Sequence, residues 1–142
     1  MTLEYATPPA VASISRAARW TSYVLSTIPV LMLLMSAVMK LLALPDVVEG
    51  FTKYGFTPGQ IRPIGAIELI CTILYIIPRT AMLGAILLTG YFGGAICTHL
   101  RAHEPALIGA LSFGVFIWLG LYLRDRRIRA LIPLYSAGFD GA

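Results

Sequence analysis

The sequence predicts an all-α integral membrane protein: a four-transmembrane-helix bundle with a short amphipathic surface helix between the first and second spans. Three observations carry this. Only 13% of the 142 residues are charged, against 58% hydrophobic, whereas soluble domains sit near ~25% charged. The charges are also clustered: 20–39 holds no Asp, Glu, Lys, Arg or His, 63–78 only Glu68, 80–100 only His99, and 105–123 none. Finally, these runs approach the ~20 apolar residues that cross a ~30 Å hydrocarbon core. Four such spans with short connections leave no room for a separate soluble domain, so residues 19–132 form one membrane domain.

The elements follow in order. Residues 1–18 read as a Pro- and Ser-containing N-terminal tail. The first span covers about 19–44, with Pro29 inside it as a kink site and Pro45 ending it. Its apolar run is longer than a signal-peptide core and no clear small-x-small site follows, so it is expected to stay in the chain. Asp46 with Glu49 three residues on matches a helix start. Val47, Val48, Phe51 and Tyr54 then recur at helical spacing until Gly55, which describes the surface helix. Thr57, Pro58 and Gln60 form a capping-box pattern that opens the second span, about 58–78, with a bend expected at Pro63. Arg79-Thr80 is so short a link that the second and third spans (about 80–100) must be an antiparallel hairpin. The turn AHEP leads to the fourth span, about 105–124, and 133–142 is a Gly-containing tail.

Charge sets orientation. The formal net charge is +4, and its excess lies in RDRRIR, 124–129, directly after a span. There it meets lipid headgroups rather than nucleic acid. Arg16, Arg19, Arg79, Arg124, Arg126, Arg127 and Arg129 share the side of the termini, while Lys40, Lys53, Arg62 and Arg101 share the other. The bias predicts cytoplasmic termini, with Trp20, Tyr122 and Tyr135 as interfacial belt residues.

Against that frame the intramembrane polar groups gain meaning. Lys40 closes the first span on the outer side, and His99 and Arg101 close the third there. Glu68 lies six residues past Arg62, about 9 Å inward. Ser22, Ser26, Pro29, Ser36 and Lys40 share one helical seam; Gly65, Glu68, Thr72 and Tyr75 share another; Gly84, Tyr91, Gly94 and Thr98 a third, with His99 beside it. Lipid-facing surfaces have no reason to carry such seams, so all three are assigned to the interior. The candidate polar pocket is therefore Glu68, Lys40, His99, Tyr91, Thr72 and Tyr75 in the outer half of the bundle. Each has a plain alternative. Glu68 can be a structural ion pair with Lys40, Lys40 can snorkel, His99 can be a satisfied interfacial residue, and Arg101 an anchor. Cys71 and Cys97 lie inside spans without CxxC or zinc spacing; they are possible redox thiols or ordinary apolar filler. No metal site is predicted. Gly90 and Gly94 form a GxxxG pair widened by Gly93, which reads as close packing of the third span on its neighbours.

These residues resemble one family. SAVMKLL (36–42), PDVVEGFTKYG (45–55), GAIELICTILYIIPRTAMLGAILLTGYFGGAICTHLR (65–101) and GLYLRDRR (120–127) look like the DoxX-like membrane proteins. The resemblance covers about 22–133. It implies a four-helix bundle in the bacterial inner membrane and a link to membrane redox systems, since the family's namesake belongs to a thiosulfate:quinone oxidoreductase. It supplies no catalytic residue to carry over; Lys40, Glu68, Gly90, Gly94, His99 and Arg101 match as family-type positions. The sequence thus supports a small subunit of a quinone- or thiol-linked redox system. The alternatives are an accessory or assembly protein acting through helix faces on a membrane partner or a second copy, and a solute-permeation role.

Overall fold

A computed structural model describes residues 16–105, 107–125, 127 and 128. It contains α1 (Arg16–Leu41), α2 (Pro45–Lys53), α3 (Pro58–Ile76), α4 (Ala81–Arg101) and α5 (Leu107–Arg124), with no strand among the described residues. α1, α3, α4 and α5 are each long and apolar enough to cross a bilayer. The expected four-span architecture with an intervening short helix is what the chain adopts. α1 begins at Arg16, three residues before the expected start; residues 1–15, Arg126, Arg129 and the tail with Tyr135 lie outside the described residues.

Local sequence explains the boundaries. α1 runs on through Pro29 and ends at Leu41 rather than near 44. Ala43 takes a positive φ of 50°, and Leu44 precedes a proline, which disfavours helical backbone. Pro45 then occupies the first turn of α2 with Leu44 as N-cap. Asp46 is therefore not the cap that its spacing to Glu49 suggested: the proline, pre-set to helical φ, starts the helix two residues earlier.

α2 stops as expected. Gly55, at φ +85°, allows Phe56 N–H to reach Phe51 C=O (3.1 Å) and Gly55 N–H to reach Thr52 C=O (2.9 Å). That is a Schellman cap, and the Phe51 and Phe56 rings meet over it at 5.3 Å. The Thr57–Gln60 box opens α3, with Thr57 N–H donating to Gln60 Oε1 at 2.7 Å. α3 and α4 form the expected hairpin, closed by Thr80 Oγ1 donating to Leu74 C=O at 2.8 Å.

The four spans pack as a ring in which α1 touches α3 and α5, and α4 completes the circuit on the other side. α2 lies on α1 and α3 at one end. Ser22, Ser26, Pro29, Leu33, Ala37 and Lys40 of α1 are buried, as are Gly65, Glu68, Thr72 and Tyr75 of α3, so the first two seams do face inward. The third seam does so only in part: α4 buries Ala81, Gly84, Ala85, Leu88 and Phe92, and Gly94 is exposed.

Close helix approach occurs at other glycines than those expected. A Cβ on Gly84 would sit 2.3 Å from Tyr75 N, one on Gly120 2.2 Å from Ser26 Oγ, and one on Gly65 2.7 Å from Lys40 Cβ. Gly90, Gly93 and Gly94 have nothing within 4 Å of such an atom. Their assignment to helix packing within the chain is thus corrected. GxxxG spacing places small residues on one face, but the rotation of α4 turns that face away from its neighbours.

The end remote from α2 is sealed. Tyr75, fully buried, donates its hydroxyl to Ile117 C=O (3.0 Å) and meets Ser26 Oγ (3.0 Å). Arg124 stacks over the Tyr75 ring at 4.8 Å and donates to Tyr75 C=O at 3.1 Å. Those contacts satisfy polar groups that hydrocarbon would leave unpaired.

Candidate functional site

The site grows from Gly65. Without a side chain there, α3 presses against the last turns of α1, and the next turn of α3 delivers Glu68 to Lys40. The Lys40 Nζ–Glu68 Oε2 distance is 2.8 Å, with side chains 10% and 2% exposed. Lys40 also donates to Ser36 Oγ, and Ser36 in turn donates to Glu68 Oε2 at 3.4 Å. Tyr91 of α4 lines the same cavity as this carboxylate. Of the open alternatives for Lys40, pairing is the one realised: its ammonium points to Glu68 and lies 5.8 Å from the Phe51 ring centroid. An ion pair this deep is costly to desolvate, so its retention asks for a reason.

A second polar group lies at the α2 end. Tyr54 donates its hydroxyl to Glu104 Oε2 and packs edge-on to the His99 ring, centroids 5.3 Å apart. The carboxylate that accepts this hydrogen bond, with some burial, holds the Tyr54 phenol above its ordinary pKa. His99 Nδ1 is 3.6 Å from Glu104 Oε2, too long for a hydrogen bond. Among the described residues this buried nitrogen has no hydrogen-bond partner.

Two cavities of about 490 Å³ each meet around Lys40, Phe51, Tyr54, Tyr91, Ala95 and His99. One opens between α3 and α4, past Ile64, Gly90 and Gly94. The other opens between α1 and α5, past Met32, Met35 and Gly109, and reaches Glu68. These two lobes of a chamber share Lys40 and the rings of Phe51, Tyr54 and Tyr91, while Glu68 lines the second lobe alone. Volumes of this size hold drug-sized molecules.

Of the six pocket candidates, the structure brings together Lys40, Glu68, Tyr91 and His99. Thr72 is buried within α3 and donates to the Glu68 backbone carbonyl at 2.7 Å, so its hydroxyl is spent in its own helix. Tyr75 lies two turns deeper, in the sealed end. Cys71 is buried in the core and Cys97 exposed, both as free thiols. Among the described residues no His, Cys, Asp and Glu cluster suited to a metal is present. Glu104, Phe51 and Tyr54 carry no sequence pattern that marks them as site residues. The available signal was the placement of the surface helix and the HEP turn on the same side as His99.

A quinone fits this set of groups. The chamber admits a substituted ring, Phe51, Tyr54 and Tyr91 offer aromatic surfaces, and His99, whose Nδ1 makes no hydrogen bond, lines it. The family model of the DoxX-like family matches residues 24–120. Neither a curated protein nor a solved structure matches the chain.

Proposed function

The chain belongs to the DoxX-like family, and from that premise and the chamber we propose that it is an integral subunit of a membrane redox system that holds a quinone-type ring. The observation that carries this reading is a buried, hydrogen-bonded Lys40–Glu68 pair lining an aromatic-walled chamber that opens to lipid. A bound quinone would supply two-electron, two-proton chemistry. The chain supplies the setting. The Lys40 ammonium would orient a ring oxygen, the Glu68 carboxylate would accept or return a proton at Oε2, and His99 would border the ring from the α2 end. Phe51 and Tyr91 exclude water around it. Cys71 and Cys97 lie in different environments, so support falls on a quinone rather than a dithiol. The sealed end at Tyr75 and Arg124 gives no support to solute permeation.

In this reading the protein sits in the inner membrane with its termini in the cytoplasm, and the chamber lies in the outer half. The test is to purify the full chain in mild detergent from quinone-containing membranes and extract bound lipids. Retained quinone near one per chain, strongly reduced in Glu68→Gln, supports the reading. No retained quinone and no uptake of added quinone overturns it.

A second reading, an accessory subunit acting through a helix face, rests on Gly93. With Ala110 and Gly114 it lines an apolar groove between α4 and α5, and nothing lies within 4 Å of its Cβ position. Gly93→Leu would then release a co-purifying membrane partner or second copy while the isolated chain stays folded. An unchanged complex sinks this reading.

A further inference from the structure

The chamber raises the question of how a ligand reaches it, and the exposed glycines answer. Gly90 and Gly94 border the opening between α3 and α4, and neither serves contact with another helix. Gly90 is the tenth of the 21 residues of α4, close to mid-span. From His99 to Gly90 the helix descends about 13 Å, so this opening runs from headgroup level to the bilayer's middle. Any larger residue at either glycine would project into it.

The opposite opening differs in kind. Met32 and Met35 stand at its edge, and such flexible, unbranched side chains fold over apolar gaps. At Gly90 and Gly94 the other opening carries no side chain on α4, and Ile64 of α3 borders it opposite.

Resting on the quinone reading above, we propose that Gly90 and Gly94 form a lateral portal, and that the ligand is a long-tailed amphiphile whose tail stays in the bilayer. The polar ring seats beside Lys40, Tyr91 and His99, and its chain trails between α3 and α4. A cavity of about 490 Å³ takes a substituted ring but not a long chain as well. Lipid tails are as apolar as Leu, so a chain gains nothing by leaving them for the protein. The ligand is accordingly drawn from the membrane rather than from water.

The experiment uses the full chain in nanodiscs and two probes, a dimethoxybenzoquinone head alone and the same head with a ten-carbon tail. A Cβ at Gly90 or Gly94 meets nothing within 4 Å, so Gly90→Leu and Gly94→Leu are expected to fold, and a thermal melt checks it. The expected result is that both weaken the tailed probe at least about tenfold, as an occluded packing position does. The head alone, free to use the other opening, changes by no more than about twofold, the scale of a surface substitution. Unchanged binding of the tailed probe in both variants overturns the portal. So does a loss confined to Gly109→Leu, which would place the tail between α1 and α5. Wild-type chain that binds neither probe overturns the quinone reading itself, and the portal with it.

Discussion

Removing Lys40 should damage this protein more than removing Glu68, and the geometry says by how much. Lys40→Met leaves a carboxylate that is 2% exposed with only Ser36 and Tyr91 as neutral neighbours. Stranding one member of a buried pair costs about 3–5 kcal/mol. Glu68→Leu strands the cation instead, but Lys40 stands in the last turn of α1. Its long stem can carry the ammonium to the headgroups, which limits the loss to about 1–2 kcal/mol. Replacing both, Lys40→Met with Glu68→Leu, removes desolvation and attraction together and should return stability to within about 1 kcal/mol of the parent. A double-mutant cycle on reversible unfolding in mixed micelles therefore predicts a coupling energy of about 3 kcal/mol or more. Additivity within about 0.5 kcal/mol would refute the argument, because it would mean that the two charges are not held together out of water.

Other consequences are checked more simply. Gly84→Ala places a methyl against the Tyr75 backbone at 2.3 Å and should cost at least about 1–3 kcal/mol. Gly94→Ala, in open space, should gain about 0.5–1 kcal/mol of helix stability; thermal midpoints in detergent separate the two. A membrane-permeant alkylating reagent should modify exposed Cys97 in the native protein and Cys71 only after denaturation, as read by mass spectrometry. Tyr54→Phe should loosen α2 by about 0.5–1 kcal/mol, a value discounted because Glu104 is half-exposed. Hydrogen exchange across 45–53 reports it. Because the Tyr54 phenol is held above its ordinary value by Glu104, the tie it makes from the end of α2 to Glu104 is intact below the normal phenol range. That tie is lost as pH rises through the higher folded value, and Tyr54→Phe should abolish this alkaline step in phenolate absorbance.

Much of the fold was legible because bilayers impose simple rules. Length and apolarity revealed the four spans, and the Thr57–Gln60 pattern marked the start of α3. Polar residues spaced by three and four identified the inward faces of α1 and α3. What escaped depended on rotation and depth. Gly90, Gly93 and Gly94 looked like a packing motif, and the rotation of α4 makes two of them a cavity rim and the third a groove floor. Gly65, Gly84 and Gly120 carry the close contacts, yet none stands in a GxxxG pair with a partner that does so too. Tyr75 shares a helical stripe with Glu68, but seven residues separate them, about 10 Å of rise, and that distance moves Tyr75 to the sealed end. Glu104 went unnoticed because a turn residue gains its role only when the fold sets it beside Tyr54 and His99.

The short link between α3 and α4 bears on how the chain is made. α3 is the least apolar of the spans, with a hydropathy of 1.3 against 1.6 to 2.0 for the others, because it carries Gln60, Arg62 and Glu68. An acidic residue such as Asp near a helix centre opposes insertion by about 2.5–3.5 kcal/mol, so α3 alone is a poor candidate to leave the translocation channel. Only residues 77–80 separate it from the more apolar α4, and the two are expected to partition as one hairpin. Glycosylation-tagged truncations that end after α3 should insert less completely than those that end after α4. α1 is synthesised earlier still, so during biogenesis the ammonium of Lys40 is already in place when the carboxylate arrives.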